Sequence, residues 1–173
     1  MKTRTFFLTI LAILVAGICQ LDAQTKSVVE KRIGSTIYKL DSVSYRIKNK
    51  ANKITDREVG SGFIATLDNS KQAYKVWTEQ FKPLFSKERV EKLNVRIILV
   101  SICDSTGLVK EVEVHFRNRE TFEMFTLSEI KAIEDAAKKF RFNIVWHGGE
   151  EGQKYVRFVH PLNPYLLYFE KSK

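Results

Sequence analysis

Cysteine, proline, histidine and glycine are all scarce in this 173-residue chain, at two, three, three and eight copies. Two cysteines cannot make the bridge framework of a small disulfide-stapled domain. So few prolines and glycines exclude a collagen-like repeat or a long flexible linker. No two histidines stand at the i, i+4 spacing of a helical zinc motif, so no metal or cofactor is expected. Beyond the N-terminus no apolar run approaches the ~20 residues that span a bilayer. The chain does have 44% hydrophobic and 12% aromatic residues, enough for a core. Its 29 Lys and Arg exceed its 20 Asp and Glu, for a net charge of +9.

Part of that total belongs to a leader. Lys2 and Arg4 precede the apolar stretch 6–18, and a small residue, Ala23, follows it. This is the pattern of a cleavable export signal, with cleavage expected between Ala23 and Gln24. Gln20 and Asp22 close the apolar run too early for a membrane anchor, and Cys19 follows Ile18 where lipid modification favours a small residue. The mature chain, 24–173, is then a single domain of 150 residues with a net charge of +8 and no transmembrane segment. Its expected location is the periplasm or the cell exterior, with the outer membrane as a surface it associates with. Cys103, its one thiol, ends an apolar strand and reads as buried and inert.

Residues 24–93 carry +7 of this charge, residues 94–173 only +1. The densest run is Arg46, Lys48, Lys50, Lys53 and Arg57, a candidate patch for an anionic surface such as headgroups or acidic polysaccharide. It holds no aromatic ring on which a base could stack, so nucleic acid is not the expected partner. The same run also reads simply as a solvated loop.

Period-two alternation of Tyr38, Leu40, Val43, Tyr45 and Ile47 predicts one strand from Thr36 to Lys48. A loop follows from Asn49 to Gly62. Asp68, Asn69 and Ser70 are candidate N-caps for a helix carrying Tyr74, Trp77, Phe81 and Leu84 on one face, which Pro83 ends. Residues 86–93 add a short turn of helix. Then come an apolar strand, 94–103, the turn 104–107, and a strand that buries Val112, Val114 and Phe116. Thr126 and Glu129 form a capping box, with Phe125 and Ile130 placed for a hydrophobic staple. The helix they start buries Ile130, Ile133 and Ala137, and Lys138, Lys139 and Arg141 suit its C-terminal dipole. Phe142, Ile144 and Trp146 mark a third strand, and Tyr155 to His160 a fourth. The expected class is α+β: an antiparallel sheet of about four strands with two helices packed on one face.

His147, Glu150 and Glu151 share a Gly-rich turn, and His160 ends the strand returning from it. Convergence of the four would make a small hydrolase or metal-dependent enzyme; a hairpin tip facing solvent is the simpler reading. Gly148-Gly149 opens no phosphate loop, and Gly60-Ser61-Gly62 is not a nucleophile elbow.

The order helix, Pro83, strand 95–102, turn, strand 109–114, helix 126–140 and final strand resembles a TonB C-terminal domain over residues 72–160. The segment VRIILVSICDSTGLVKEVEV, with its Asp-x-x-Gly turn, is the most telling part. The Pro-Gly-Gly before the first helix and the Trp-x-Pro after the second are absent. The leader ending at Ala23 and Gln24 is similar to those of small secreted Bacteroidota proteins. The resemblance implies a non-enzymatic module that binds a protein or peptide of the cell envelope by strand addition. The last strand, with Tyr155, Arg157 and Val159, is the candidate edge. Energy transduction is not implied, since the mature chain has no anchor and no Pro-rich tether.

Overall fold

The computed structural model describes residues 27–60, 65–68, 71–93, 95–147 and 154–169. The leader, the candidate caps Asn69 and Ser70, and Glu150 and Glu151 lie outside the described residues. The elements are β1 (Val28–Ile33), β2 (Thr36–Asp41), β3 (Arg46–Asn49), β4 (Ala65–Leu67) and α1 (Lys71–Phe81) with a 3-10 turn (Lys82–Leu84). They continue with α2 (Lys87–Lys92), β5 (Ile97–Asp104), β6 (Val109–His115), α3 (Arg119–Met124), α4 (Leu127–Lys138), β7 (Ile144–Trp146), β8 (Tyr155–Leu162) and α5 (Leu166–Phe169). The class is α+β, but the sheet is larger than expected: six strands in the order β1-β2-β3-β6-β5-β8, every pairing antiparallel. No helix among the described residues is long and apolar enough to cross a membrane.

The single strand expected over Thr36 to Lys48 is two strands. Asp41 and Arg46 pair directly, so residues 42–45 form the loop between them. The Asp41 carboxylate holds that loop by accepting from the Val43 and Ser44 amides and the Ser44 hydroxyl. Those bonds hold the carboxyl of Asp41 below its ordinary range. Tyr45 closes the loop in a left-handed conformation, φ 50°, and its carbonyl accepts from Phe116. Ahead of it, β1 was invisible to periodicity because nearly all its residues are exposed on both faces. Gly34, φ 56°, turns β1 into β2, and glycine suits the first central position of such a two-residue hairpin.

The helices cover one face of the sheet. Tyr38, Leu40, Ile47, Leu99, Val112, Val114, Val156 and Phe158 face them, and Trp77, Phe81, Val90, Ile130 and Ile133 fill the space between. The side chain of Tyr74 lies outside the described set. The capping box at Thr126 and Glu129 is formed as read, and Arg89 grips Glu129 through Nε at 2.7 Å. Glu134 is buried yet fully engaged: Tyr38 Oη donates at 2.5 Å, Asn49 Nδ2 at 3.0 Å and Lys138 Nζ at 2.5 Å. This network ties α4 to β2 and β3 through groups that would be costly to bury unpaired. Burial and the adjoining Glu134 push the Tyr38 phenol up from its ordinary range.

Ile144 to Trp146 does not join the main sheet but pairs with β4 in a separate ribbon. The Asp104–Gly107 turn is as expected, with Asp104 accepting from the Thr106 and Leu108 amides. Gly107 is held at φ 83°, and its carbonyl accepts from the amide of Phe142 at 2.9 Å. Cys103 is fully buried, and desolvation, with Asp104 adding to it, pushes its thiol up to about 12.

Candidate functional site

β8 is the outermost strand on its side of the sheet, because the N-terminal strands extend the opposite side, through β3 against β6. Gly60 donates to the Tyr155 carbonyl at 3.0 Å from outside the sheet. The main-chain groups of Tyr155 therefore point away from β5. By the two-residue alternation of a strand, so do those of Arg157, Val159 and Pro161. Pro161 suits this position, since it has no N–H and proline is tolerated in sheets where that group would face outward. The sequence pattern stopped the strand at His160; it runs through Pro161 to Leu162 because only the edge side loses a donor.

Tyr155 is not available. It forms a parallel bridge with Val59, and Asp56 pairs with Arg157 nearby. These contacts end a segment that crosses the face of the sheet opposite the helices. Asn52 Nδ2 donates to the Val112 carbonyl at 3.0 Å, where β3 has ceased to pair with β6. The Lys53 and Ile54 amides donate to Glu111 Oε1 at 2.5 and 3.0 Å. Ile102, on that same face, is only 6% exposed. The strap thus seals one end of the outer face and leaves the other open. At the open end Val159 is 64% and Ile98 40% exposed, with Val100 opposite Val159 and Pro161 opposite Ile98.

The basic run does not act as one free patch. Lys48 lies 3.7 Å from Glu113 and Lys50 2.8 Å from Glu30. Arg46 is exposed on β3, opposite His115. Lys53 and Arg57 sit exposed on the strap, with no carboxylate in ion-pair range among the described residues. Glu113 is held below its ordinary range, chiefly by the hydrogen bond to His115.

The candidate catalytic histidines do not share a site. His160 is 7% exposed on the core face, its ring stacked on Phe142 at 4.5 Å and 5.1 Å from Trp77. Burial alone lowers its pKa to about 4, and its Nε2 has no partner. His147 is exposed and lies 2.9 Å from Thr66 Oγ1 across the β4–β7 ribbon. No group of three or more potential metal ligands occurs among the described residues. Asp56, Gly60, Ile98 and Pro161 were not singled out by sequence. Pro161, directly after the strand pattern that ends at His160, was the available signal for an edge.

No protein-family model matches the chain, and no curated protein sequence matches it significantly. A crystal structure of a DUF5043 family protein from Bacteroides uniformis has the same fold, with a TM-score of 0.61 over 81% of this chain and 93% of that one. At 18% identity the likeness concerns the fold alone.

Proposed function

We propose that the protein is an exported, non-enzymatic binding module of the cell envelope that captures an extended protein segment as an added strand on β8. The observation that carries this reading is the outward main chain of Arg157 to Pro161, beside the exposed Val159 and without a strand partner among the described residues. An added strand gains main-chain hydrogen bonds there and apolar contact with Val159 and Ile98. The resemblance of residues 72–160 to a TonB C-terminal domain supports the same mode, and the leader supports export to the periplasm or beyond.

Val159→Pro tests it without rebuilding the core. Its N–H faces outward, as the missing one at Pro161 would, so the substitution leaves the β5 ladder intact while deleting a donor to the incoming strand. Peptides selected from a display library of envelope-protein segments should bind Val159→Thr normally and Val159→Pro at least about tenfold more weakly. They should also lose affinity when proline replaces alternate residues of the peptide. Equal binding to both variants contradicts strand addition. If binding instead vanishes at high salt while Val159→Pro behaves normally, the contact belongs to Arg46, Lys48, Lys50, Lys53 and Arg57 as an anion-binding face.

A further inference from the structure

A recess of about 310 Å³ opens beside the β5–β6 turn, with Ser105, Thr106, Arg141, Ile144 and Trp146 in its wall. That volume is at the small end of the ~300–1,000 Å³ typical of ligand sites. Sequence pattern assigned Arg141 to the dipole of α4, but α4 ends at Lys138 and Arg141 lies beyond it. Its main chain is fixed by an antiparallel bridge to Leu108, which roots the side chain beside the turn. The residue is exposed, and no carboxylate lies in ion-pair range of its guanidinium among the described residues.

Among the described residues no carboxylate lines the recess either. The nearest on the turn, Asp104, is already committed: it accepts from Thr106 N and Oγ1 at 2.9 and 2.7 Å and from Leu108 N at 3.2 Å, and pairs with Lys110 at 3.1 Å. Asn143, also in the wall, reaches Asp68 only at 3.5 Å. Ile144 and Trp146, two apart on β7, present half-buried apolar surface on one side of that strand. Among the described residues, an unpaired guanidinium, the Ser105 hydroxyl and an indole thus share one small concavity.

We propose that this recess binds a small carboxylate carried on an apolar or aromatic body. The carboxylate takes Arg141, in the two-pronged geometry that guanidinium favours, with Ser105 as a further donor. The body lies against Ile144 and Trp146. This site is independent of the β8 edge.

The probe is N-acetyl-L-phenylalanine, titrated against its uncharged amide, with the Nε–H of Arg141 and the indole N–H of Trp146 followed by NMR. Both signals should shift saturably with the acid, and the amide should bind at least about tenfold more weakly, as expected when a charge-assisted pair is lost. Arg141→Gln should weaken the acid to the same degree with an unchanged melting temperature. Equal affinity for acid and amide, undiminished binding by Arg141→Gln, or no shift of these two signals up to the solubility limit would overturn the assignment.

Discussion

Gly107→Ala should lower stability by about 2–5 kcal/mol, while Gly34→Ala should cost only about 1–2 kcal/mol. Both glycines occupy left-handed conformations, φ 83° and φ 56°, and an L side chain there costs about 1–2 kcal/mol from backbone crowding. They differ in what a methyl group would meet. At Gly34 nothing lies within 4 Å, whereas at Gly107 the new carbon would stand 2.0 Å from the Phe142 carbonyl oxygen. That oxygen belongs to the main chain, so relief requires separating the β5–β6 turn from the segment leading into β7. The move would break the Phe142 amide bond to Gly107 and disturb the rings packed on Phe142, adding roughly 1–3 kcal/mol of overpacking strain. In a domain of this size the loss corresponds to a fall in melting temperature of about 10 °C. Urea unfolding of the two variants side by side separates the conformational cost from the steric one. A Gly107→Ala protein within about 1 kcal/mol of Gly34→Ala would mean that the turn does not approach Phe142 so closely.

The second large effect is acid sensitivity centred on His160. The pKa of its ring falls from 6.5 to about 4 because the imidazolium would be desolvated among Phe142, Trp77 and Phe158 with no carboxylate to pair it. Between those values the unfolded chain binds a proton that the folded chain refuses. Stability therefore falls as the pH drops from about 6.5 towards 4 and is flat above that window. A difference of this size corresponds to about 3 kcal/mol across the window. The carboxylates held below their ordinary range, such as Glu129 and Asp104, lose their contribution only as the pH falls below the usual carboxylate range, which is lower still. His160→Phe keeps the stack on Phe142 and removes both the titration and the unpartnered Nε2. Urea midpoints measured from pH 7.5 to 4.5 should slope downward for the natural protein and stay level for His160→Phe. Parallel slopes would show that His160 finds a partner or water on protonation and that its enclosure is incomplete.

Features that depend on neighbours in sequence were legible. The capping box at Thr126 and Glu129, the hairpin around Asp104 to Gly107 and the stop at Pro83 each follow from residues within one turn, and each is formed. Features that depend on distant partners were not. VVEKRI has no apolar period because only Ile33 of β1 reaches the core, and pairing with β2 makes it a strand. The left-handed Tyr45 carries no glycine or proline signal; Asp41 specifies the loop through its side chain instead. β7 and β8 look alike as alternating segments, and what sends one to the ribbon and the other to the main sheet is long-range packing. Arg157 and Val159, named from the sequence, lie on the outermost strand of the main sheet, but where the strap meets that strand, at Tyr155, was not legible. That strap reaches across three strands to bond Glu111 and Tyr155, residues far from it in sequence.

Among the described residues β8 has an open edge from Arg157 onward, and amide hydrogen exchange of the free protein tests this without any ligand. Val156, Phe158 and His160, bonded into β5, should exchange slowly. Arg157 and Val159, facing outward, should exchange at least about a hundredfold faster. Protection of Arg157 and Val159 equal to that of their neighbours would mean the edge is already covered, and would contradict both the geometry and the proposed mode of binding.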